Sequence, residues 1–340
     1  VKRPRLTWRR GLVAAGIALA GVALGLWLVP SGQYLLLPDK AQLVEPLVEI
    51  PNEGEAVQAD EGGIYMVDIL VRKASLLERL FPNLQDGATL VPAEVLNPVG
   101  VSEEQRRQSS DLDMTRSQEV AAAVALRELG YTVEAMPSGA EITLVVPDSP
   151  ASEAGLRPGD VIVEAGGQEI LTTGDLRRAM ERVEPGESVT LTIRRSGEPT
   201  DHTLPTTASE DDPDRAVIGV IVQQAATIEL PLDIAIDAGA IGGPSAGLAF
   251  ALDIVDELGI EIDQGRVVVV TGELGLDGRV EPIGGVKQKT IGAREAGADL
   301  FIVPHDNAAE ARRYADDLEI VPVETFDEAL DALGVAPQVS

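Results

Sequence analysis

A serine set among small residues, in Ile241-Gly242-Gly243-Pro244-Ser245-Ala246-Gly247, is the side chain best placed to do chemistry. An apolar helical pattern runs from Ala246 to Leu258, so Ser245 falls at a helix N-terminus. Free N–H groups and the helix dipole there favour a developing anion. Gly243, Pro244 and Ala246 are small enough to let a substrate or a second backbone come close. A nucleophile, an anion cradle and an ordinary helix cap all fit this position. Gly243-Pro244-Ser245-Ala246-Gly247 also fits the G-x-S-x-G elbow, which needs a downstream histidine, and only His305 is available.

Composition narrows the partners. The chain has 340 residues, enough for two domains, and 44% of them are hydrophobic but only 3% aromatic, so the core is aliphatic. The net charge is −29, which repels nucleic acid and anionic lipid. With no cysteine and two histidines, His202 and His305, neither a disulfide nor a Cys- or His-built metal site is expected. No G-x-x-x-x-G-K-[ST] string occurs, so neither a nucleotide nor another cofactor is expected.

The elements that must position Ser245 are legible in outline. Gly11 to Pro30 carries no charge and follows Lys2, Arg3, Arg5, Arg9 and Arg10. That pattern predicts a single-pass transmembrane anchor over residues 1–30, with the N-terminus in the cytoplasm and the acidic body outside the cell membrane. Residues 31–130 form a membrane-proximal region, with a strand over Gly62–Val71 and a helix starting at Asp113 and stopping at Gly130. Strands are predicted at 217–222, 230–236, 267–271 and 299–304, and helices at 246–258, from about 283 to 297, and at 325–333.

Two stretches carry family resemblances. Asp148-Ser149-Pro150-Ala151-Ser152-Glu153-Ala154-Gly155-Leu156-Arg157-Pro158-Gly159-Asp160-Val161-Ile162, followed by Asp175–Val183 and Val189–Arg195, resembles a bacterial PDZ domain over residues 131–207. That resemblance implies a small β-sandwich or barrel with helices that takes a peptide as an added strand. It places the peptide terminus in a loop of Gly139, Ala140, Glu141 and Ile142, and its side chain against Leu176 and Met180. Core packing is the competing role for the last two.

The second resemblance is to the proteolytic domain of the Lon family, over residues 208–335. It rests on the serine string, on Val267-Val268-Val269-Val270-Thr271-Gly272-Glu273 with its Asp277-Gly278 hairpin, and on Gly284-Gly285-Val286-Lys287-Gln288-Lys289. With the anchor, the chain resembles the membrane-anchored, ATP-independent Lon-like PDZ proteases of bacteria, the YlbL type. The implied fold is α+β, with the PDZ domain inserted in or preceding a Lon-like domain that begins near residue 60.

The resemblance makes Ser245 the nucleophile, Lys289 the general base and Thr271 its hydrogen-bond partner. It implies polypeptide substrates and a homo-oligomer, a hexamer in many relatives. Burial in the glycine-rich setting of Lys289 would lower its pKa and suit it to that role. Lys287, two residues away on the same helix, points elsewhere and is surface or supporting. Ile241-Gly242 stand where many Lon proteins carry a lysine–aspartate pair. The competing function is a membrane-tethered peptide-binding scaffold with an inactive protease fold.

Overall fold

The computed structural model describes residues 7–51, 62–96, 103–209, 212–239, 241–260 and 262–335. Lys2, Arg3 and Arg5, and the chain beyond residue 335, lie outside these.

Helix α1 (Thr7–Leu28) leads into strand β1 (Pro30–Pro38). Its apolar side chains from Leu12 onward face outward, Leu19 being 76% exposed. Among the described residues no helix is long and apolar enough to cross a membrane, so the expected span over 11–30 is not met. The helix stops at Leu28, and Pro30 opens β1.

Strand β2 (Gly63–Met66) and β3 (Ile69–Ser75) replace the single strand expected over 62–71. The chain breaks at Val67-Asp68, where an acidic residue interrupts the apolar run. Helix α2 (Leu76–Leu80) follows, then β4 (Thr89–Pro92), α3 (Ala93–Leu96) and the long α4 (Glu103–Glu128). Helix α4 starts well before Asp113 because its polar first turns, exposed at Arg106 and Arg107, show no apolar period to read. β3, β1 and β4 form an antiparallel three-stranded sheet.

A second sheet is built from β5 (Glu134–Val145), β6 (Val161–Ala165), β7 (Ser188–Arg195), β8 (Glu198–Pro205) and β9 (Val220–Glu229). Its order is β8-β7-β6-β5-β9, all antiparallel, and helix α5 (Thr173–Met180) packs on it. Thr172 and Asp175 form a capping box that starts α5. β9 lies along the whole of β5 and is packed on two cores: Val220 and Val222 on that of this sheet, Ile228 on that of the central sheet. Only Ala235–Ile236 of the strand expected at 230–236 forms, because Pro231 removes a ladder donor.

The central sheet holds the site. Helix α6 (Gly247–Glu257), β10 (Val267–Val270), α7 (Val286–Glu295), β11 (Leu300–Pro304), β12 (Glu319–Val323) and α8 (Phe326–Leu333) complete the chain. β2, β10, β11 and β12 run parallel, with Gln42–Leu43 antiparallel at the β2 edge. Where an α+β arrangement is expected, the fold is mixed α/β with helices on both sheet faces. Val268 and Val270 pack with α6, α4 and α8, whereas Val269 turns to the opposite face with Val286 and Ala293 of α7. A run of β-branched residues, with Val268, Val269 and Val270 buried on alternate sides, is what such a central parallel strand needs.

Candidate active site

Ser245 and Lys289 start on opposite faces of the central sheet and meet over its carboxyl edge. Ser245 sits in the 3₁₀ turn Pro244–Ala246 that opens α6; Lys289 is on the first turn of α7. Thr271 follows the last residue of β10, and Asp68 comes two residues after the neighbouring parallel strand β2 ends. Open sheets present their sites at such strand ends.

Backbone contacts fix the serine turn. Gly243 has φ +88°, a conformation that glycine adopts without strain, and its N–H donates to Ser110 O at 3.0 Å. Ser117 of α4 donates its hydroxyl to Pro244 O at 3.1 Å. A Cβ at Gly247 would lie 2.6 Å from that same hydroxyl, so only glycine lets α4 approach this closely. Gly272 N donates to Ser245 O at 2.9 Å, tying the turn to the end of β10.

Lys289 Nζ lies 2.7 Å from Ser245 Oγ and donates to Thr271 Oγ1 at 3.1 Å. The Thr271 hydroxyl is itself a donor to Ser245 O at 3.2 Å, so its oxygen is left to accept from the amine. Lys289 is 2% exposed. Burial pulls its pKa down to about 8, with Asp68 pulling the other way. Burial raises the Asp68 carboxyl, while the Ile69 N–H, which donates to it at 2.7 Å, and Lys289 hold it down. A neutral amine with its lone pair toward a hydroxyl proton is a base in position.

The site opens into a groove of about 570 Å³, with Asp68, Ser245 and Lys289 in its wall and Leu36, Val71, Val91 and Leu96 as its apolar lining. Lys287 supports this wall: its Nζ donates to Ala88 O at 2.9 Å and lies 5.7 Å from the Tyr314 ring centroid. Gln288 donates to Gly87 O and Thr89 Oγ1, both at 2.8 Å. The two side chains pin the segment that leads into β4 and α3. Asp68 is the site residue that sequence reading missed; its signal was a carboxylate inside an apolar strand pattern.

The loop expected to receive a peptide terminus on the second sheet is a strand. Gly139, Ala140, Glu141 and Ile142 form the middle of β5 rather than a loop, in register with Ala225, Gln224, Gln223 and Val222 of β9. Gly139 N donates to Leu171 O and Ile142 N to Asp160 O, so these two N–H groups are already used. Glu141 accepts from Gln223 Nε2 at 3.0 Å and pairs with Arg116 of α4 at 3.5 Å. Leu176 is buried in the core of this sheet, and Met180 packs against it. Among the described residues no group of His, Cys, Asp or Glu could hold a metal ion.

Comparison with known proteins gives these two regions a class. Residues 221–335 match the Lon protease (S16) C-terminal proteolytic domain, and residues 141–195 match the PDZ domain. The chain thus carries one region similar to a PDZ domain and another similar to the Lon C-terminal proteolytic domain. Lon protease 2 of Bacillus subtilis (strain 168) is 43% identical over 98 residues, 28% of this chain and 17% of that protein. The Lon protease of Azorhizobium caulinodans is 44% identical over 93 residues, 26% of this chain and 11% of that protein. This chain therefore spans less than a fifth of those relatives' length. The PDZ domain of the SdrC-like protein from Listeria monocytogenes aligns with 25% of this chain and 87% of its own, at 20% identity and TM-score 0.23.

Proposed function

We propose that this chain is an ATP-independent serine endopeptidase with a Ser245–Lys289 dyad, acting on polypeptides. The carrying observation is the 2.7 Å approach of a buried, pKa-lowered amine to a hydroxyl at the mouth of a helix. Lys289 accepts the Ser245 proton as Oγ attacks the scissile carbonyl, and returns it to the departing amine. Water then attacks the acyl-serine, giving its proton to Lys289, which passes it to Ser245 Oγ as the acyl–oxygen bond breaks and the acid product leaves. Thr271 holds the amine in line. The backbone N–H groups of Ser245 and Ala246 receive the developing oxyanion.

Residues 131–207 are a PDZ-like unit inserted within the proteolytic domain, delivering or orienting substrate chains. The presence of β2 beside β10 in one sheet, with β5 to β8 between them in sequence, supports that organisation. The exposed apolar helix α1 tethers the chain to the cell membrane, and the body assembles as a homo-oligomer.

Incubation with an unfolded casein-like chain, without nucleotide, tests the reading. Cleavage is expected from the parent protein and none from Ser245→Ala or Lys289→Met, both folded. Turnover by Lys289→Met would remove the dyad.

A further inference from the structure

Helix α2 and the turn after it present large apolar side chains to solvent on a rigid corner. Leu80 is 61% exposed, Phe81 57% and Leu84 54%. Isolated exposed apolar residues are ordinary, but three within five positions are not. The corner beneath them is firmly built. Ser75 and Glu78 form a capping box at the start of α2. Arg72 clamps the buried Glu78 carboxylate with two hydrogen bonds, at 2.5 and 3.1 Å, and holds its pKa down to about 2. Gln85 closes the far side, donating to Glu78 Oε1 at 3.4 Å.

Two further observations say what covers this tip. First, α2 adjoins the end of α1: Leu76 N donates to Val29 O at 2.8 Å, and the two helices pack together. The exposed apolar surface of α1, ending at Trp27 and Leu28, thus continues into the tip. Second, the stretch Ile69–Asp86 carries Arg72, Lys73 and Arg79 against Glu78, which pairs with Arg72, and the exposed Asp86, a local balance of one positive charge in a chain whose net charge is −29. Lys73 and Arg79 are exposed. A basic rim around apolar side chains matches an anionic lipid surface.

We propose that Leu80, Phe81 and Leu84, with Lys73 and Arg79 beside them, dock the body onto a lipid bilayer next to the point where α1 meets it. The proposal rests on the reading of α1 as a membrane tether. It also fixes where the groove works. β3 runs from Ile69, in the groove wall, to Ser75, which caps α2. Six strand steps cover about 20 Å, which sets the groove wall at Ile69 about that far from the start of α2, with the docked tip at its far end. Segments cleaved there lie close to the membrane surface.

The chain has no cysteine, which makes site-specific labelling direct. Full-length Phe81→Cys and Leu84→Cys are each labelled with an environment-sensitive dye, and Thr200→Cys on β8 serves as the reference. Each protein is mixed with phosphatidylcholine–phosphatidylglycerol vesicles carrying a lipid-borne quencher, and vesicle binding is read separately by flotation. Quenching at 81 and 84 several-fold above that at 200, reduced by Arg79→Glu, is the expected result. Flotation with no excess quenching at either position overturns the docking surface and leaves the tether standing. Failure to float overturns both.

Discussion

Lys289 Nζ lies 2.7 Å from Ser245 Oγ, and the residue that supplies the amine is 2% exposed. Water therefore contributes little to holding a charge on that nitrogen. Cleavage should follow the neutral amine, so kcat/KM should rise with pH and level off above about 8, where the lysine has lost its proton. Two units below that plateau the rate should be about 100-fold lower. A profile flat between pH 6 and 9 would contradict a lysine base.

Lys289→Met should cost activity by about 10⁴-fold or more while leaving the fold intact. The folded-state pKa is lowered, so between about 8 and 10.5 the unfolded chain holds more protons and stability rises with pH. Thermal melts of the methionine variant should lose that rise and show no drop in Tm at pH 7.

Asp68→Asn removes the negative charge that pulls the lysine pKa upward. The pH–rate limb should then move to lower pH, the opposite of what a general structural loss would give. An unmoved midpoint, read from the same kcat/KM profile, would mean that Asp68 only supports the backbone at Ile69.

Thr271→Val keeps the shape beside β10 and deletes the hydroxyl between Lys289 Nζ and Ser245 O. Turnover should fall about 10- to 100-fold with little change in KM, since the hydroxyl orients the base and touches no substrate. His305→Ala should leave turnover unchanged, because His305 lies in a separate polar pocket with Arg279, Asp306 and Glu324.

Asp253 on α6 is buried, and its Oδ2 has no hydrogen-bond partner. Burial, with Glu257, Asp256 and Glu45 nearby, pushes its pKa up to about 8. The folded chain then holds a proton that the unfolded chain has lost, so this side chain makes stability fall as pH rises from about 4 to 8. Asp253→Asn should flatten that fall and raise stability at pH 8 by about 1–3 kcal/mol in urea titrations.

The sequence displayed Ser245, Thr271 and Lys289 through local strings, and the fold brings all three within hydrogen-bond reach. Asp68 escaped because its place depends on which strand lies beside β10, a long-range pairing that no local period records. The Gly139–Ile142 segment misled for the same reason. Its placement as a loop came from the PDZ resemblance, and its pairing as a strand depends on β9, some eighty residues on, lying beside it. The early turns of α4 were hidden because helix propensity without an apolar stripe leaves no periodic mark. Helix α1 was legible as apolar, but its end at Leu28 was not, since Val29 continues the same hydropathy before Pro30 begins a strand.

β9 has its head in the PDZ core and its foot in the core that carries Ser245. One ribbon, paired with β5 from end to end through two register shifts, joins the two directly. The smaller unit therefore cannot swivel as a bead on a string would. It stands as a fixed bracket beside the sheet that carries the groove.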